Sequence, residues 1–91
     1  MKTIKELASV GERVYVYLKD EETAQRFLRD AEAEGFIFGD GVHPTDRHWS
    51  DLYAIHSDGT LNYVGAIGHV EYGSGADSVV RIDYSQLLEQ T

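Results

Sequence analysis

The stretch that decides the fold is "RVYVYLKDEETAQRFLRDAEAEGFIF", Arg13 to Phe38. Its first part alternates Val14, Val16 and Leu18 with Tyr15 and Tyr17, which predicts a strand with one aliphatic face and one tyrosine face. Asp20 is placed to cap a following helix, with Glu21 and Glu22 in the first turn, where the helix dipole favours anions. Ala24, Phe27, Leu28 and Ala31 then recur at i, i+3, i+4 and i+7, the apolar stripe of an α-helix. Gly35 suits the left-handed residue just past the helix end. "FIF" (36–38) follows as a short apolar strand. Strand, helix and strand make one β-α-β unit, with a right-handed crossover expected if the strands are parallel.

Working outward, Thr3-Ile4-Lys5-Glu6 has the spacing of a capping box, and Ile4, Leu7 and Ala8 share a face. A short helix over 4–9, ended at Gly11, is therefore expected. Downstream, "LYAIHS" and "TLNYVG" flank Asp58-Gly59, the signature of a hairpin with a type I′ turn. "AIGHVEYGSGA" predicts a short strand, "HVEY", bracketed by glycine-rich turns. "VVRIDY" (79–84) reads as the last strand and "SQLLEQT" as a frayed helical turn. The sum is one α+β domain over residues 1–91. It has a five- to six-stranded, mostly antiparallel sheet with one principal helix on one face, in β-α-β-β-β order, plus the short N-terminal helix. The other face would then carry Tyr15 and Tyr17, joined by Tyr53 or Tyr63 according to register. Exposed tyrosines in a row mark a contact surface, unless they merely suit half-exposed strands.

Charge excludes more than it selects. Lys and Arg number 8 against 16 Asp and Glu, a net charge of −8, and residues 46–91 hold only Arg47 and Arg81 as cations. Direct nucleic-acid binding needs cations that displace counterions from phosphates, so it is disfavoured. A partner with a basic groove would be attracted instead, although acidic surfaces also simply keep small proteins soluble. With no Cys, disulfides, thiolate metal sites and Cys nucleophiles are out. "MKTIKELASV" is charged and amphipathic, so neither a signal peptide nor a membrane span is expected, and the cytoplasm is the default location. At 91 residues the chain sits near the lower limit of independent stability, which makes a homo-oligomer plausible.

The candidate site is the connection "FGDGVHPTDRHWSD", Phe38 to Asp51, which holds the only Pro and the only Trp. His43 and His48 with Asp46 and Asp51 offer nitrogen and oxygen ligands, but their spacing fits no established zinc motif, and no metal or cofactor is expected. Asp46-Arg47-His48 brings together acid–base residue types, yet neighbours in an extended loop point apart. No nucleophile elbow, P-loop or dinucleotide fingerprint occurs, so an enzyme is not expected. The loop does hold a kit for a polar, ring-bearing ligand. Thr45 supplies a hydroxyl, Asp40, Asp46 and Asp51 supply acceptors, Arg47 a forked donor, and Trp49 with His43 or His48 a stacking plate. The plain alternative is that Trp49 plugs the sheet edge while Pro44-Thr45-Asp46 forms an ordinary turn. Acids at Glu21, Glu22, Asp30, Glu32, Glu34, Asp58, Glu71, Asp77 and Asp83 also suggest a phosphate-like track, interrupted by Arg26 and Arg29.

Over "EGFIFGDGVHPTDRHWSDLYAIHSDGTLNYVGAIGHV" the chain resembles small acidic proteins carried by phages and mobile elements of Gram-positive gut bacteria. The resemblance is carried by the "VYVYLKDEET" start, the "GFIFGDGVHPTDR" centre and "YVGAIGH". It implies an anti-defence role in the cytoplasm of a host bacterial cell. One form of that role is a non-catalytic, anti-CRISPR-like inhibitor whose acidic surface meets a basic, nucleic-acid-handling defence protein. The other is a sponge that sequesters a small phosphorylated nucleotide immune signal through the 39–51 loop, with Tyr15 and Tyr17 contributing.

Overall fold

The computed structural model of the protein describes residues 3–65 and 79–89. Helix α1 spans Ile4–Ala8 and opens with the expected capping box. The Thr3 hydroxyl accepts from the Glu6 amide at 3.1 Å, and the Glu6 carboxylate accepts from the Thr3 amide at 3.2 Å. Strand β1 is Val14–Tyr17 and helix α2 is Glu21–Ala33. The Asp20 carboxylate caps α2 by accepting from the Thr23 amide at 2.8 Å. At its other end Gly35, with φ 88°, turns the chain so that the Phe36 and Gly35 amides donate to Ala31 and Glu32 carbonyls. These paired bonds are the Schellman closure that a left-handed glycine permits.

Strand β2 (Ile37–Phe38) follows, then a 3-10 turn at Pro44–Asp46, and strands β3 (Leu52–Ile55) and β4 (Thr60–Tyr63). The β3–β4 hairpin forms where expected but with a different turn. No non-glycine residue among those described has positive φ, and only Gly59, at 90°, is left-handed. The Gly59 amide donates to the His56 carbonyl at 3.1 Å, and Thr60 donates to the Asp58 carboxylate. A three-residue loop with a left-handed Gly replaces the type I′ turn, because the Asp58 side chain holds the chain in a right-handed turn. Strand β5 is Val80–Asp83 and helix α3 is Tyr84–Glu89. Tyr84 begins that helix instead of ending the strand, since the Asp83 carboxylate accepts from the Ser85 amide and hydroxyl and so caps it. The expected strand "HVEY" lies outside the described residues.

The five strands are ordered β2-β4-β3-β1-β5. β3 is antiparallel to both neighbours, whereas β2 runs parallel to β4 and β5 parallel to β1. The sheet is therefore mixed, and the expectation of a mostly antiparallel sheet is corrected. Among the described residues the β3–β4 link is the one tight hairpin. The two parallel pairs, β2 with β4 and β1 with β5, join strands that are not consecutive in the chain, which a tight hairpin cannot do. β1 and β2 do share a direction, but the β3–β4 hairpin is inserted between them.

Register sets the faces. Val16 lies opposite Tyr53, Tyr53 opposite Tyr63, and Ile55 opposite Leu61, so these residues lie on the face under α2. Phe27, Leu28, Ala24 and Ala31 of α2 complete that core, together with Ile4 and Leu7 of α1. A line of rings crosses it, from Phe38 through Tyr63, Tyr53 and Phe27 to Tyr84, with centroid separations of 5.2–5.6 Å. Tyr53 and Tyr63 thus belong to the α2 side and do not join Tyr15 and Tyr17. Those two sit half-buried on the other face, beside Leu52, Ala54 and Val64.

Candidate functional site

Residues 39–51 fold back against α2. Gly41, with φ 90°, lets its amide donate to the Phe38 carbonyl at 2.8 Å, and Asp40 secures the turn by accepting from the Val42 amide. Pro44 is buried and starts the 3-10 turn, with His43 as its N-cap. Thr45 then fastens the segment to the helix: its hydroxyl donates to Glu32 Oε1 at 2.8 Å and its amide to the same oxygen at 3.3 Å. Those two donors hold the Glu32 carboxyl below its usual range. Farther on, the Leu18 amide donates to the Asp51 carbonyl at 2.8 Å. The segment from Thr45 to Asp51 consequently runs along α2 from its C-terminal half back toward its N-terminus.

A cleft of about 340 Å³ lies between the two, lined by Glu21, Gln25, Leu28 and Arg29 of α2 and by Thr45, Arg47, His48 and Trp49. Trp49 is half-buried and packs against the core, which fixes its position. Arg47 pairs with Asp40 and lies over the Phe38 ring, 4.9 Å from its centroid. His48 is exposed, and its carbonyl accepts from the Tyr63 hydroxyl. The Tyr53 hydroxyl accepts from the Ser50 amide at 2.9 Å, while burial pushes that phenol well above its ordinary value. The two tyrosines pin residues 48–50 from beneath. Arg29 forms no ion pair among the described residues. Gln25 donates to Glu21 Oε2 at 2.9 Å, leaving the other Glu21 oxygen unused by that bond.

Of the residues singled out from the sequence, Thr45, Arg47, His48 and Trp49 come together here. Asp40 reaches the site only through Arg47. His43 and Asp46 face a separate hollow beside Glu32 and Phe36, and Asp51 is exposed beyond the end of the cleft. Tyr15 and Tyr17 are separated from it by the sheet. Sequence reading missed Glu21, Gln25 and Arg29 as site residues. Their signal was present: with Leu28 they form a stripe at i, i+4, i+7 and i+8 beside the apolar face of α2. Among the described residues no group of three or more His, Asp or Glu is placed to hold a metal ion. Nor is any described helix long and apolar enough to cross a membrane. The chain matches no protein-family model, no curated protein and no solved structure.

Proposed function

We propose that the chain is a non-catalytic binding protein that takes a small phosphorylated, ring-bearing ligand into the cleft between α2 and residues 45–49. In a bacterial host this would be a sponge for a nucleotide signal. The observation that carries the reading is the meeting of Trp49 with Arg29 and Arg47 in one cleft of a chain whose net charge is −8. Two guanidinium groups suit a phosphate and an indole face suits a base. Thr45 is the only hydroxyl in the lining, and it is committed to Glu32. Thermal-shift screening against a nucleotide panel tests this. A ligand at about 1,000 times its Kd should stabilise the fold by about 4 kcal/mol, and Arg29→Ala should reduce the shift at the same ligand concentration. A panel without any shift would sink the reading.

The charge favours a second reading, an anti-CRISPR-like inhibitor whose acidic surface meets a basic, nucleic-acid-handling defence protein. It stands second because many acids already serve the fold. Asp20, Asp30, Glu32, Glu34, Asp58 and Asp83 each accept hydrogen bonds from within the chain. Pull-down of a defence protein, lost as salt is raised, would support it; capture indifferent to salt would count against it.

A further inference from the structure

The cleft has a polarity that says what kind of ring it takes. Thr45 is fastened to Glu32 in the C-terminal half of α2, and Asp51 lies against Leu18, just before the Asp20 cap. Between these anchors the segment runs opposite to the helix. Trp49 therefore lies toward the Glu21–Gln25 end and Arg47 toward the Arg29 end. Glu21 and Arg29 are two turns apart, about 12 Å along the axis. That is the span of one nucleotide laid lengthwise, base at one end and phosphate at the other.

The two ends differ in chemistry. At the Arg29 end lie two guanidinium groups, Arg29 and Arg47, the latter paired with Asp40 and keeping its remaining N–H donors for a ligand. At the Glu21 end the Gln25 amide donates to Glu21 Oε2, which leaves the second carboxylate oxygen and the Gln25 amide oxygen as acceptors. A ring stacked on Trp49 thus meets an edge rich in acceptors. Among the common bases guanine alone offers adjacent donors there, its ring N–H and its exocyclic amine, a pair that the free Glu21 oxygen and the Gln25 amide oxygen can accept together. Adenine and cytosine set one donor beside an acceptor lone pair, which Glu21 would repel. Resting on the proposed cleft function, we infer that the ligand is a guanine nucleotide, with Glu21 reading the base edge, Trp49 stacking the ring, and Arg29 with Arg47 holding the phosphate.

Trp49 is the only Trp, so its fluorescence reports the cleft directly. Guanosine monophosphate should quench it and bind about tenfold tighter than adenosine monophosphate, the discrimination expected of one good bidentate pair. Guanosine and inorganic phosphate, each offering one end only, should bind more weakly than the whole nucleotide. Glu21→Gln should equalise the two nucleotides, and Arg29→Ala should weaken both by a similar factor. Equal binding of the two by the wild type, or a guanine preference that survives Glu21→Gln, overturns the base assignment and leaves the cleft reading standing. If neither nucleotide binds at up to about 1 mM, by fluorescence or by calorimetry, the cleft reading falls and the guanine assignment with it.

Discussion

Tyr84→Phe isolates a single hydroxyl. The Tyr84 ring is buried and sits edge-on to Phe27, with centroids 5.2 Å apart and planes at 78°, and the substitution leaves that packing in place. What it removes is the bond from the Tyr84 hydroxyl to Asp30 Oδ2, 2.5 Å long, which ties α3 to the C-terminal half of α2. A hydrogen bond to a charged partner contributes about 1.5–3 kcal/mol. Asp30 keeps Arg26 at 3.1 Å and its side chain is 29% exposed, so water takes over part of the lost bond. The net cost should then fall near 1–2 kcal/mol. For a domain of this size that lowers Tm by roughly 5–15 °C, with an unchanged denaturant slope. A double-mutant cycle with Asp30→Ala should return a coupling of about 1 kcal/mol.

Alkaline pH supplies a second arm of the same test. Burial, and the Asp30 carboxylate beside it, raise the Tyr84 phenol above its ordinary value of 10.0. Above that pH the unfolded chain releases a proton that the native fold retains, so stability is complete below it and declines as pH rises. Tyr84→Phe should decline less steeply than wild type. Urea titrations followed by Trp49 fluorescence would measure all of this. A variant within about 0.5 kcal/mol of wild type, or a coupling of zero, would refute the reasoning. α3 would then be held by apolar contact alone.

Asp20, Glu32 and Asp58 are each held below their ordinary values of 3.8, 4.5 and 3.8 by donors from Thr23, Thr45 and Thr60. Their stabilising contribution is present above those values and is lost as pH falls through the lower folded ones, which urea midpoints recorded from neutral pH downward should show. Gly59→Ala should cost about 1–2 kcal/mol in thermal unfolding; the site has open space for a methyl group, so the cost is that of the 90° φ alone. Asp40→Asn keeps an oxygen for the Val42 amide but discharges the partner of Arg47. With the Arg47 and Asp40 side chains 31% and 55% exposed, the freed guanidinium should raise nucleotide affinity by at most about fivefold in a binding titration.

Local signals in the sequence were legible wherever one side chain answers one backbone group. Thr3, Asp20 and Gly35 cap or close their helices as their spacing foretold. The alternation of β1 likewise gives Val14 and Val16 to the core and Tyr15 and Tyr17 to the opposite face. Strand order was not legible, because β2 and β5 find their partners across long connections whose closure leaves no mark on local composition. The same limit applied to the cleft. Trp49 and Arg47 stand out as rare residues in the 39–51 loop, but Glu21, Gln25 and Arg29 look like ordinary solvated helix positions. Only the bond from Thr45 to Glu32, across 13 residues, shows which side of α2 the loop covers.

The carboxylate of Glu34 does something a helix end rarely does for a distant neighbour. It accepts from the amides of Ile4 and Lys5, at 2.8 and 3.0 Å. With five residues, α1 is too short to persist on its own. Its first amides are thus answered by the residue that closes α2. In a native-state exchange experiment the protons of Ile4 and Lys5 should follow the fraying of the α2 C-terminus, so that loosening one helix end is felt at the other end of the chain's first half.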